Sequence, residues 1–115
     1  IPGHTPGTMG VIVPVKMKGQ PRAAIVLAAT QMPTRELLVQ FERVFNEFAK
    51  PAKVEASLNM HANGVQDDLM FLEMLRKNPD GPNPYLYGAE RFGRWMDIMI
   101  ECGRARLAAL GVGTN

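Results

Sequence analysis

Two runs rich in Val and Ile, Met9–Lys18 and Arg22–Ala29, are separated by only Gly19-Gln20-Pro21. Branched side chains favour extended backbone. Parallel strands need a crossover of a dozen residues or more, so a link this short joins the two runs as an antiparallel hairpin. This pairing constrains everything that follows, because the remaining elements must cover a sheet that starts as a hairpin.

Thr34 is placed to cap a helix running to about Lys50. Within it Leu37, Leu38, Phe41, Val44, Phe45 and Phe48 fall on one stripe at helical spacing, and Pro51 stops it. Val54–Met60 reads as a third strand, with Glu55 and Ser57 alternating against Val54, Ala56 and Leu58. His61-Ala62-Asn63-Gly64 is a loop leaving that strand. A second helix is expected from about Val65 to Lys77, with Val65, Leu69, Leu72 and Leu75 turned inward. Asn78–Pro84 holds three prolines and a glycine and reads as a linker. The last helix is expected from about Ala89 to Leu110. Phe92, Met96, Met99, Gly103, Arg106 and Leu110 follow a three-four spacing there, and Trp95, Ile100 and Leu107 widen the stripe.

The order is thus β-β-α-β-α-α in one mixed α/β (α+β) domain over residues 1–115. A three-stranded sheet with bare edges needs partners. A missing segment or another chain is therefore expected to complete it. Ile1 lies directly against a Pro/Gly/His motif, and the chain is expected to be a fragment whose targeting segment, if any, lies upstream.

Bulk properties exclude several classes. Hydrophobic residues make up 46% and charged residues 21%, which suits a folded domain rather than a disordered one. The net charge of +2 leaves no basic footprint for nucleic acid. No apolar run approaches the ~18 residues that span a bilayer. Cys102 is the only cysteine, so there is no intrachain disulfide.

The candidates for chemistry are few. His4 and His61 are the only histidines, both in loops beside strand ends. His4 lies between Pro2-Gly3 and Pro6-Gly7, whose restricted and permissive backbones can hold an imidazole in one direction, as a metal ligand requires. Local spacing alone favours a surface histidine in a rigid turn for His4 and a hydrogen-bonding histidine at a strand end for His61. Asp67-Asp68 suits the first turn of the second helix, where acidic residues complement the helix dipole. The eight methionines are expected to fill core gaps. Trp95, Tyr85 and Tyr87 could line a cleft, although packing suits them better. Cys102, inside the last helix, reads as structural.

The segment Pro2-Gly3-His4-Thr5-Pro6-Gly7-Thr8, followed by a strand, resembles the PGHTPG motif of the metallo-β-lactamase superfamily. Val54-Glu55-Ala56-Ser57-Leu58-Asn59-Met60-His61 is similar to the strand that delivers the last histidine ligand in the branch close to the subclass B3 β-lactamases. Gly88–Leu110, with Arg91, Glu101-Cys102 and Arg104-Ala105-Arg106, resembles its closing helix. The resemblance covers nearly all of the chain. It implies the C-terminal half of an αββα sandwich with two zinc ions at one edge of the sheets. His4 would match the third histidine of the first zinc site, and His61 the histidine of the second.

The other ligands of that family come from an HxHxDH motif upstream, and this sequence has none. The resemblance further implies a hydroxide shared by two metals ~3.5–4 Å apart, attacking the carbonyl of a small-molecule substrate. The sequence departs from the branch in two places. Met60 and Ala62 flank His61 where the branch has Ser-Asn before and Pro after. Leu27-Ala28-Ala29-Thr30 replaces a more Gly-rich stretch near the site, where Thr30 would face the pocket. These put the substrate in doubt more than the fold.

The expectation is a fragment of a zinc metallo-hydrolase acting on a β-lactam, inactive by itself and partnered by the missing N-terminal half or a second chain. No nucleic acid or membrane partner is expected, and the location would be periplasmic or secreted. The alternatives are a hydrolase of the same fold acting on another ester, lactone or thioester, and a non-catalytic association module without metal.

Overall fold

The computed structural model describes residues 9–27, 34–59 and 66–112. Strands β1 (Gly10–Met17) and β2 (Gln20–Leu27) form the expected hairpin, antiparallel from Gly10↔Leu27 to Met17↔Gln20. The turn is Lys18-Gly19, one residue earlier than the sequence suggests. Both residues have positive φ, 48° and 79°, as a two-residue type I′ hairpin requires. Gly19 adopts this freely, whereas Lys18 carries a Cβ into it. The Lys18 Nζ donates to the Asp80 carbonyl at 2.7 Å.

Pro21 therefore lies inside β2, not in the turn. In a two-residue hairpin the closing pair exchanges hydrogen bonds, and pairs alternate from there. Pro14 and Pro21 both fall in non-hydrogen-bonded pairs, opposite Ala23 and Lys16. Neither position asks for an N–H toward its hairpin partner, so both prolines are tolerated.

Strand β3 (Ala56–Asn59) joins β2 in parallel, from Ala24↔Ala56 to Leu27↔Asn59, giving the order β1-β2-β3. The crossover between them is helix α1 (Arg35–Val44). Its cap is Thr34, whose Oγ accepts from the Leu37 N–H at 3.3 Å. The helix continues over Phe45–Ala49 as one π turn, with the Lys50 N–H donating to the Phe45 carbonyl at 2.9 Å. The wider turn takes up an extra residue and rotates the register. Ala49 is buried and Phe48, expected on the inward stripe, is 53% exposed.

Helices α2 (Gln66–Lys77) and α3 (Ala89–Ala109) follow. The molecule is thus a mixed α+β fold with a three-stranded sheet and three helices, in the order read from the sequence. Among the described residues no helix is long and apolar enough to cross a membrane.

The core lies on one face of the sheet. Ile25 and Leu27 of β2 meet Leu38, Phe41, Phe45 and Ala49, and these meet Phe92, Met96, Ile100 and Leu107 of α3. The Phe41 and Phe45 rings are 4.7 Å apart, and those of Phe45 and Phe92 6.2 Å. Ion pairs bridge α1 and α3 at the rim, Arg104 to Glu42 at 2.6 Å and Lys50 to Asp97 at 2.8 Å. Exposed pairs of this kind each contribute about 0–1 kcal/mol, so apolar burial carries the junction. The Tyr87 N–H bonds the Glu55 carbonyl at 2.9 Å, tying the approach to α3 to the start of β3.

The other face has a different character. Side chains alternate along a strand, and the register places Val11, Val13, Val15 and Met17 of β1 beside Ala24 and Val26 of β2 and Ala56 and Leu58 of β3. The face is apolar at those positions, with Arg22 opposite Val15 and Gln20 opposite Met17 at its hairpin end. Small Ala24 and Ala56 are buried, but none of the larger side chains is, and Val11 is 50% exposed.

Helix α2 departs from expectation in the same sense. Leu69 and Leu72, expected inward, are 63% and 55% exposed, and Leu75 is half-buried. Val65 lies outside the described residues. The methionines are likewise not chiefly core fillers: Met96 is fully buried, but Met9, Met70 and Met74 are exposed.

Candidate metal centre

The register aligns three strand ends in one row. Gly10, where the chain enters β1, pairs with Leu27, where it leaves β2, and Leu27 pairs with Asn59, where it leaves β3. Residues 1–8, 28–33 and 60–65 therefore all attach at the same end of the sheet. His4, Thr30 and His61 belong to those three segments, and all three lie outside the described residues. Strands spaced ~4.8 Å apart put Gly10 and Asn59 about 10 Å from each other.

The donor chemistry is limited. Among the described residues no three His, Cys, Asp or Glu side chains gather as a group able to hold a metal. The two imidazoles fall short of the three protein ligands that a catalytic zinc takes.

The remaining candidates are placed by the fold. Asp67 and Asp68 stand in the first turn of α2, as expected. Tyr85 packs edge-on against Phe71, ring centroids 5.4 Å apart, and Trp95 lies 5.8 Å from Phe92, so both rings take part in packing. Tyr87 is exposed. Cys102 lies on α3 but is exposed, so its thiol fills no core space.

The ionisable groups with displaced titration lie on helix surfaces. The Arg76 guanidinium, bonded to both Glu73 oxygens at 2.8 Å, holds that carboxyl below its usual value. Its own backbone and then the Thr34 hydroxyl lower Glu36. Both are exposed helix-surface effects and mark no reaction centre.

Sequence reasoning had no signal for the shared strand end, because parallel addition of β3 beside β2 is not written in either strand. Comparisons with protein-family models, with curated proteins and with solved structures found no match.

Proposed function

We propose that this chain is the C-terminal half of a zinc-dependent metallo-hydrolase with an αββα sandwich, and that His4 and His61 are ligands from two different zinc sites. The observation that supports this is the row Gly10–Leu27–Asn59, three strand ends aligned by register and next in sequence to the segments that hold His4, Thr30 and His61. Ligands from separate loops at a common sheet edge are what a metal centre built on a rigid scaffold needs. The apolar face of Val11, Val13, Val15, Val26 and Leu58 is the second support. A sheet with helices on one side and a half-buried apolar face on the other suits one half of a layered sandwich.

Zinc, when bound, would supply Lewis acidity at the scissile carbonyl. The chain's own task is to orient two imidazoles. Pro2-Gly3 and Pro6-Gly7 flank His4 in the sequence, and His61 follows by two residues the last residue of a strand held in register by β2. The substrate is a β-lactam, whose strained amide is hydrolysed. An ester, lactone or thioester would use the same ligands and is the rival substrate class. A metal-free association module is the rival of another kind.

The test uses a preparation containing both halves. Turnover of nitrocefin, abolished by a chelator and restored by zinc, is expected, as is loss of one zinc equivalent in each of His4→Ala and His61→Ala. Absence of turnover with any β-lactam removes the β-lactam assignment. Absence of zinc removes the metallo-hydrolase and leaves the association module.

A further inference from the structure

Helix α3 carries two apolar stripes. The first, Phe92, Met96, Ile100, Gly103 and Leu107, faces the core. The second consists of Trp95, Ile98, Cys102, Ala105 and Ala109, spaced three, four, three and four residues apart. At 100° per residue its centre lies about 135° round the helix from the core stripe, which turns it to solvent. All five residues are exposed, Ile98 at 60% and Trp95 at 38%. This three-four repeat, two heptads long, has the spacing of a seam between two helices packed side by side.

The occupant follows from position and charge. The apolar sheet face lies on the side of the sheet away from α1 and α3, so covering it leaves the outer stripe of α3 bare. The seam also has its own flanking charges. With Trp95, Cys102 and Ala109 as one set of seam positions and Ile98 and Ala105 as the other, Glu101 and Arg106 occupy the two bordering positions. In a parallel pair these meet across the interface, residue i against residue i+5 of the other helix. Arg106 has no ion pair among the described residues, and Glu101, bonded to Arg104 through Oε1, has its Oε2 left for a partner. Small Ala105 and Ala109 allow the backbones to approach.

We infer that a second copy of this chain docks along the outer stripe of α3 as a parallel, two-fold pair, with Ile98 and Cys102 each facing its own counterpart and Glu101 bridging to the partner's Arg106. The pairing is independent of the hydrolase assignment, since it uses no residue of the proposed centre.

The position of Cys102 makes this testable on the full chain. Two facing thiols exposed to copper–phenanthroline in air lose two protons and two electrons to the oxidant and join as a disulfide. A rapidly formed covalent dimer, read on a non-reducing gel, is expected. Ile98→Arg, at an exposed site with the helical circular-dichroism signal as a folding check, should reduce its yield at least tenfold. E101R alone should weaken it, and the swap E101R/R106E should restore it. Leu72→Lys, on α2, should leave it unchanged, which separates seam pairing from clumping through the open sheet face. A chain that stays uncrosslinked, a yield indifferent to Ile98→Arg, a swap that fails to restore, or loss of the dimer with Leu72→Lys would each overturn the parallel pair.

Discussion

The two faces of the sheet are built from similar residues and end in opposite states. On one face Ile25 and Leu27 disappear beneath α1 and α3, with Phe45 and Met96 fully buried among eleven core residues. On the other, Val13, Val15, Val26 and Leu58 are half-buried and Val11 is exposed, and α2 adds exposed Leu69, Met70, Leu72 and Met74. The contrast teaches that apolar character alone does not make an interior. An interior also needs a layer on top, and among the described residues α1 and α3 supply that layer for one face.

Mutations on the closed face should act within the chain, and mutations on the open face only when another layer is present. The largest effect is expected from Phe45→Ala, which removes a ring packed against Phe41 and Phe92. A loss of about 3–5 kcal/mol is expected, a large share of a domain's total stability of roughly 5–15 kcal/mol. Urea denaturation followed by circular dichroism should show the chain largely unfolded without denaturant.

Val11→Asp tests the other face. In the isolated chain it should cost no more than about 0.5 kcal/mol, as at any exposed site, while reducing self-association in light scattering. Mixed with the completing half it should block assembly. A stable soluble monomer of the unmutated chain, with the sheet face open, would break the comparison outright, because a large exposed apolar surface drives association.

Thr34→Ala removes the α1 cap and should cost about 1 kcal/mol, measured by the same denaturation, since α1 belongs to the closed side. Lys18→Asn should instead stabilise the hairpin by up to about 1 kcal/mol, because Asn accepts positive φ more readily than Lys. Its midpoint in urea should rise unless the lost bond to the Asp80 carbonyl outweighs the gain.

The smallest effect is a pH dependence. Glu36 and Glu73 titrate below their ordinary 4.5 in the folded chain, so the unfolded chain binds protons more readily. Their contribution to stability is full above about pH 4.5 and is lost as pH falls through the lowered folded values. Carboxyl NMR titration should place both midpoints below 4.5.

Much of the fold was legible because each element carries its own period. The β-β-α-β-α-α order follows from alternation in the strands, helical stripes in between and prolines at the breaks. Three details were not. Pro21 looked like a turn residue, but the alternation of hydrogen-bonded pairs made room for it inside β2. Phe48 fitted an α-helical stripe, but the π turn at Phe45–Ala49 rotated it out. Leu69 and Leu72 had the spacing of a buried stripe, yet the surface they would bury against is not among the described residues. The site was legible only through the likeness of its motifs to a family. Local spacing gave two histidines 57 residues apart in the chain, and nothing local reveals that the start of β1 and the end of β3 fall in one row across β2.

Pro14 carries one more consequence. It sits midway along β1, an edge strand, in a pair that turns its nitrogen away from β2. The outer rim of β1 thus lacks a hydrogen-bond donor at its centre, and an incoming strand would find a gap in the ladder there. The other edge among the described residues, β3, has no proline in Ala56–Asn59 and so presents an unbroken ladder. The two rims of one small sheet thus differ in how readily each can accept an added strand.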